Sequence, residues 1–163
     1  MGGPACAVLS NGTVQCWDGG ASGALGNGIA NEYSTTPVEV SGLTSAIAVS
    51  AGGGAPCALL ADGSIQCWGI NLEGELGDGT STGPSTCSGY PCSPTPVAVS
   101  GLTGATSISS GSATACAVLA GGAVQCWGRN SSGELGDGTT TGPFNCTDAG
   151  SDPCSTTPVA VVE

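Results

Sequence analysis

The chain has 163 residues and a formal net charge of −11, with 12 acidic residues against one basic residue, Arg129. Binding to nucleic acid or to an anionic membrane surface needs clustered cations, so a single arginine excludes both. No histidine and no lysine occur, which removes the usual proton shuttle at neutral pH and the Schiff-base nucleophile. We therefore expect no enzyme activity, no cofactor and no inserted membrane segment, since no apolar run has the length of a membrane span.

Three segments of the chain predict β-hairpins. They are CAVLSNGTVQC (6–16), CALLADGSIQC (57–67) and CAVLAGGAVQC (116–126), and a central triplet in each ends in glycine. A three-residue loop closed by a left-handed glycine is a common hairpin connection. Its register places the first cysteine opposite the second, within disulfide reach. The sequence therefore predicts the cross-strand disulfides Cys6–Cys16, Cys57–Cys67 and Cys116–Cys126.

Two further cysteine pairs lie in loops that are longer in the second and third copies of the unit. Cys87 and Cys92 lie in the insert 83–93, and Cys146 and Cys154 in the insert 142–155. An even cysteine count with regular spacing is typical of disulfides in an oxidising compartment. A thiolate metal site is the weaker alternative, because no Cys-x-x-Cys pair occurs. We expect an extracellular or cell-surface protein, although this chain contains no signal peptide.

The chain consists of three copies of one unit. Their first cysteines are Cys6, Cys57 and Cys116, and Thr-Pro-Val recurs at 36–38, 95–97 and 157–159. The sequence predicts a single array with repeats at approximately 1–40, 41–99 and 100–163. Each copy has about four short strands and no helical periodicity. The predicted fold class is all-β, with antiparallel β-propeller-type blades.

The repeat also resembles a known family. The run CWGxNxxGxLGDGT, at 67–80 and 126–139, is similar to the repeat of the regulator of chromosome condensation family. The segment VxVSGLTxAxxVSxG and the cysteine-flanked hairpin resemble bacterial members of that family. The resemblance implies a β-propeller, usually of seven blades. Copy one departs from the pattern, with Asp18 and Gly20 where copy two has Gly69 and Asn71, and the histidine that many members carry before the hairpin is missing.

Three blades do not make an ordinary ring, since propellers typically close with 4–8 blades. The chain begins at a hairpin and ends at TTPVAVVE, where another strand of the repeat would start. We expect a piece of a longer protein, a six-bladed ring made by two copies, or an open-ended assembly. The sequence leaves these alternatives open.

Two sets of residues recur at fixed positions of the repeat. Trp17, Trp68 and Trp127 each follow the second cysteine of a hairpin. We interpret them as packing between blades, with the indole N–H bonded to a backbone carbonyl. The pairs Glu75 with Asp78 and Glu134 with Asp137 favour turn capping by the aspartate beside a solvated glutamate. Weak calcium binding is the alternative; we expect no metal.

These features favour a non-catalytic, extracellular protein-binding scaffold. Its candidate binding residues are Tyr90, Phe144 and Asp148, which lie in or beside the inserts, because loops on a rigid frame commonly carry recognition. The partner is expected to be another protein or a second copy of this chain. One alternative is a structural unit of a surface layer, fibre or filament. Another, implied by the resemblance, is a secreted inhibitor similar to the β-lactamase inhibitor of the family; a carboxylate-based enzyme ranks last.

Overall fold

The computed structural model describes residues 3–146 and 152–162. In these residues the protein is all-β, with three antiparallel sheets and a single 3₁₀ turn at Ala21–Gly23. We call the sheets blades 1, 2 and 3. Blade 1 contains β1 (Ala5–Val8), β2 (Val14–Gly20) and β3 (Glu32–Glu39). Blade 2 contains β4 (Ala46–Ser50), β5 (Cys57–Leu60), β6 (Ile65–Ile70), β7 (Ser85–Cys87) and β8 (Tyr90–Ala98). Blade 3 contains β9 (Ala105–Ser110), β10 (Thr114–Leu119), β11 (Val124–Arg129), β12 (Phe144–Cys146) and β13 (Asp152–Ala160).

The strand order shows how the repeat is built. Blade 2 has the order β4-β5-β6-β8-β7, blade 3 has the matching order β9-β10-β11-β13-β12, and blade 1 has only β1-β2-β3. The predicted all-β blades are confirmed, and none of the described sheets closes on itself. The inserts were expected to be loops. This was wrong, because each forms a short hairpin that adds a fifth strand, β7 or β12, to its blade.

Each of the three predicted hairpins has the predicted register. Cys6 pairs with Cys16, Cys57 with Cys67 and Cys116 with Cys126. In the first loop, Leu9 N–H donates to Thr13 O and Gly12 N–H donates to Leu9 O, both at 2.9 Å. Gly12 has φ 81°, the left-handed conformation that this loop requires. The opposed cysteines are bonded, with Cα atoms 4.0–4.1 Å apart.

A bulge explains the Thr-Pro-Val motif at the end of each copy. Between β2 and β3 the register moves from Cys16↔Val38 to Asp18↔Ser34, so β3 has extra residues opposite Trp17. The same shift occurs opposite Trp68 and Trp127. Proline is tolerated at a bulge because no ladder bond is needed from its nitrogen. Each tryptophan therefore lies at a break in the ladder.

Tryptophan joins each blade to the one before it. Trp68 and Trp127 are fully buried. The Trp68 indole N–H donates to Ala24 O of blade 1, and the Trp127 indole N–H donates to Glu75 O of blade 2, both at 2.9 Å. The predicted packing and carbonyl bond are confirmed for these two residues. Trp17 of blade 1 is only partly buried.

Two hydrophobic cores lie at the blade boundaries. Trp68 packs with Leu25, Val40 and other residues between blades 1 and 2, and Trp127 packs with Leu76, Val99 and others between blades 2 and 3. The close approach requires glycine: a Cβ on Gly77 would lie 2.8 Å from Trp127 Nε1, and one on Gly26 would lie 2.7 Å from Trp68 Nε1. At each boundary, therefore, a tryptophan of one blade packs directly against a glycine of the preceding blade.

We predict that Gly77→Ala lowers the free energy of unfolding by about 2–4 kcal/mol, because it adds a steric clash with Trp127 to the cost of a positive φ. Gly42→Ala is the matched control. Gly42 has φ 76° and no atom within 4 Å of a built Cβ, so we expect only about 1 kcal/mol. Urea unfolding with the disulfides intact measures both values. Equal losses in the two variants would contradict the close packing of Trp127 against Gly77.

Candidate functional site

The hairpin of blade 2 presents the first predicted binding residue. The Cys87–Cys92 disulfide joins β7 to β8, and the connecting turn is Ser88-Gly89. Both turn residues have positive φ, 52° and 88°, which matches a two-residue turn whose twist suits a hairpin. Tyr90 follows the turn and is 49% exposed. The hairpin is therefore a stapled element with an aromatic side chain near its tip.

The hairpin of blade 3 presents the second one. The Cys146–Cys154 disulfide joins β12 to β13, and Phe144 at the start of β12 is 49% exposed. The two aromatics are not equivalent: Phe144 pairs with Cys154, as Ser85 does with Cys92, whereas Tyr90 pairs with Cys87. Asp148, the third predicted binding residue, lies outside the described residues. The structure thus places Tyr90 and Phe144 on two separate hairpins.

Blade 1 contacts the hairpin tip of blade 2. The Ser88 hydroxyl donates to Asn31 Oδ1 at 2.6 Å. A cavity of about 260 Å³ lies beside this bond, lined by Gly19, Ala21, Asn31, Glu32, Tyr33 and Ser88. Tyr33 is 67% exposed, and it is not among the binding residues that the sequence predicts. Its signal was the missing insert in copy one, which leaves this part of the chain without a covering segment.

A buried asparagine organises the loop that follows each hairpin of blades 2 and 3. Asn71 Oδ1 accepts from Leu76 N–H at 3.1 Å, and Asn71 Nδ2 donates to Thr80 O at 3.0 Å. Asn130 makes the equivalent bonds to Leu135 and Thr139. Both asparagines are fully buried, so their recurrence in WGxN has a structural cause.

The acidic pairs cap the same loop. Asp78 Oδ1 accepts from both Thr80 N–H and Thr80 Oγ1 at 2.9 Å, and Asp137 does the same for Thr139. These bonds lower the pKa of the Asp137 carboxyl, because they favour its ionised form. The predicted capping by aspartate is confirmed. No group of three or more candidate metal ligands occurs among the residues that the structure describes.

The expectation of a solvated glutamate was wrong for Glu75. Its carboxylate accepts from Glu73 N–H at 2.7 Å, as that of Glu134 does from Ser132 N–H. Glu75 lies at the boundary with blade 3, where its own carbonyl accepts from Trp127, and it is only 5% exposed. Burial raises the pKa of the Glu75 carboxyl to about 8. Its neighbouring blade, not its own loop, removes it from water.

The single cation lies between two other carboxylates. Arg129 Nε is 3.9 Å from Glu73 Oε1 and 3.6 Å from Glu134 Oε1, and it donates to Ser131 Oγ at 2.6 Å. Burial raises the pKa of Glu73, and the Arg129 charge opposes that shift. Because Arg129 is well exposed, these ion pairs add little stability.

None of the helical structure in the described part of the chain has the length and hydropathy of a membrane-spanning helix.

The fold defines a class: a protein built from antiparallel β-propeller blades, each with a disulfide-stapled hairpin. Residues 105–134 match the family model of the regulator of chromosome condensation (RCC1) repeat. The chain therefore contains an RCC1-type repeat and is similar to proteins with RCC1 repeats.

Three known proteins are similar to this chain. The human protein described as "Probable E3 ubiquitin-protein ligase HERC6" is 33% identical over 133 residues, which are 79% of this chain and 12% of HERC6. Human WBSCR16 has a TM-score of 0.68 at 22% identity, over 94% of this chain and 34% of that chain. Yeast RCC1 (Prp20), solved bound to Kap60, has a TM-score of 0.64 at 18% identity, over 99% and 34%. The two structures show a shared fold, and this chain spans about a third or less of each relative.

We predict that Glu75→Gln removes a pH dependence of stability. The folded carboxyl, with its pKa at about 8, keeps its proton while the unfolded one, near 4.5, loses it. The stabilisation is therefore fully present below pH 4.5 and is lost progressively up to pH 8, with a slope of at most about 1.4 kcal/mol per pH unit. Urea unfolding at several pH values should show a flatter profile for Glu75→Gln. Glu39→Gln, at an exposed strand position, controls for the loss of one charge; equal profiles for wild type and Glu75→Gln would contradict the prediction.

Proposed function

We propose that this chain is a non-catalytic, extracellular protein-binding module whose partner contacts the two disulfide-tied hairpins. The observation that carries the proposal is the exposure of Tyr90 and Phe144, each 49%, on hairpins fixed by Cys87–Cys92 and Cys146–Cys154. Aromatic side chains are enriched in protein interfaces, and a rigid hairpin loses little entropy on binding.

The disulfides support an extracellular setting, and the amino-acid composition supports a role without catalysis. All ten cysteines are paired in five disulfides, which persist in oxidising compartments. The sequence has no histidine and no lysine, and the acidic pairs of the repeat cap their own loops. An RCC1-type repeat fold suggests a protein-binding module. Yeast RCC1, which shares the fold, was solved bound to another protein, Kap60.

We predict that the double variant Tyr90→Ser, Phe144→Ser binds its partner at least about thirtyfold more weakly than the wild type does. The reason is that an aromatic side chain at the centre of an interface contributes about 2 kcal/mol or more to the free energy of binding. The immobilised chain, with disulfides intact, is exposed to the extracellular fraction of its source, and bound proteins are quantified by mass spectrometry. Ile47→Ser is the matched control, since Ile47 is 61% exposed on another strand, β4. Equal retention by the double variant and the wild type would argue against the proposal.

Self-association is a second candidate, favoured by one observation. Gly26 and Gly77 each lie under the tryptophan of the following blade. The corresponding Gly136 of blade 3 instead lines an open cavity of about 660 Å³, with Gly133, Gly138, Thr139–Thr141 and Val162. Trp17 of blade 1 is only partly buried. The Trp17 side chain of a second copy fits this cavity by analogy with the two internal boundaries.

We predict for this candidate a solution mass of twice the chain, or a mass that rises with concentration if copies add head to tail. Light scattering at several concentrations, with disulfides intact, measures it. Gly136→Val should reduce the mass by filling the cavity, whereas Gly42→Val, which has open space and a similar φ, should not. A monomer at every concentration would exclude self-association.

A further inference from the structure

The outer edge of blade 1 differs from the outer edges of blades 2 and 3. In blade 2 the first part of β8 pairs on its outer side with β7, and in blade 3 the first part of β13 pairs with β12. Within the described residues, the sheet of blade 1 ends at β3. Blade 1 thus has a strand edge at the position that the other two blades cover with their own inserts.

The register identifies the backbone groups on this edge. Tyr33 pairs with Gly19 on β2, just as Cys92 pairs with Ile70 on β6, so Glu32 corresponds to Pro91. Pro91 has no N–H, and its carbonyl accepts from Asn71 on the inner side. The next residue, Cys92, therefore directs its N–H and C=O outward to β7, because the two directions alternate along a strand. By the same alternation, Tyr33 directs its N–H and C=O outward, toward the edge that β7 would cover.

A cavity lies beside this edge and carries negative charge. It measures about 260 Å³ and is lined by Glu32 and Tyr33 of β3, by Gly19 of β2 and by Ser88 of the blade 2 hairpin, among others. That volume holds one side chain. Glu32 supplies the one carboxylate of this lining. One of its oxygens accepts from Asn27 Nδ2, and its charge makes the cavity favourable for a cation.

We propose that the β3 edge at Tyr33 binds an extended, cationic segment of another protein by strand addition, with one lysine or arginine side chain in the cavity at Glu32. An open strand edge supplies main-chain hydrogen bonds to such a segment, and a pocket beside it selects the side chain. The inserts of blades 2 and 3 are the internal precedent: each places a strand at this position.

The negative charge of this chain determines which kind of segment fits the β3 edge. The chain carries −11 overall, and Asp18 on β2 and Glu32 and Glu39 on β3 add negative charge to this side of blade 1. A second copy of the chain would bring the same negative charge to the edge, so a segment rich in lysine or arginine is the better fit. The site uses neither Tyr90 nor Phe144 and stands apart from the proposed function.

The probe is a fluorescein-labelled octapeptide of alternating lysine and valine, titrated with the intact chain and followed by fluorescence anisotropy. We expect binding that weakens with salt. A peptide of alternating glutamate and valine should bind at least tenfold more weakly. The lysine–valine peptide with N-methylated valines, which lacks the N–H donors of one edge, should also lose at least tenfold. Absence of binding by the first peptide, or equal binding by the N-methylated one, would overturn the proposal.

Two substitutions at one position separate backbone from side chain. Tyr33→Pro removes the outward N–H without removing a bond to β2, whereas Tyr33→Ala removes only the ring. We expect Tyr33→Pro to bind the lysine–valine peptide at least tenfold more weakly than Tyr33→Ala, with circular dichroism showing that both variants fold. Should Tyr33→Pro be misfolded, Glu32→Gln keeps the test decisive, with an expected loss of three- to tenfold and a smaller salt dependence. Equal affinity of the wild type and Glu32→Gln would overturn the assignment of the cavity.

The double variant Tyr90→Ser, Phe144→Ser distinguishes this site from the hairpin surface. It should bind the lysine–valine peptide as the wild type does, even if it loses its natural partner. Loss of peptide binding in that variant would place the peptide on the hairpins and overturn the strand-addition site, while leaving the proposed hairpin surface intact.

Discussion

The blades are held in one array by the contact of one tryptophan with the loop of the preceding blade. Trp68 lies over Gly26, and Trp127 lies over Gly77, each with its indole N–H on a backbone carbonyl. This contact explains why the repeat fixes residues that are far apart along the chain. The tryptophan must follow the hairpin and the glycine must lie in the loop; in blade 2 the buried Asn71 also holds that loop in shape. A change to the tryptophan or to the glycine therefore affects the whole boundary.

The chain has few charged residues, and this determines how its loops are stabilised. With one cation among 163 residues, the loops depend on neutral hydrogen bonds and on aspartates that bond to nearby threonines, such as Asp78 with Thr80. Blade faces that are covered on both sides leave little room for ion pairs. Glu75 shows the consequence: once blade 3 covers it, its carboxyl has backbone donors but no cation, and its protonated form is favoured.

The sequence correctly predicts the features that depend on neighbouring residues of the chain. The register of Cys6 with Cys16 follows from the length of one loop, and the blade-type fold follows from three copies of one pattern. The sequence does not predict the burial or pairing of a residue whose neighbours come from another part of the chain. Glu75 is buried by the next blade, and the inserts form strands because β8 and β13 offer them an edge to pair with. Tyr33 was missed for the same reason, because its edge is open only by comparison with blades 2 and 3, in which β7 and β12 cover the equivalent position.

The three blades therefore share a stapled hairpin, a tryptophan and a bulge, and they differ at their outer edges. The tryptophan, the glycine and the bulge recur in each blade, whereas the blades differ at the first residues of β3, β8 and β13. There blade 1 has an uncovered backbone edge in the described residues, blade 2 has Tyr90 on β8, and blade 3 has Phe144 on β12, which pairs with β13. Main-chain groups and isolated aromatics can bind a partner without a cationic surface. A chain with a single arginine can present distinct surfaces in this way, because the repeat fixes where they lie and the inserts decide what they display.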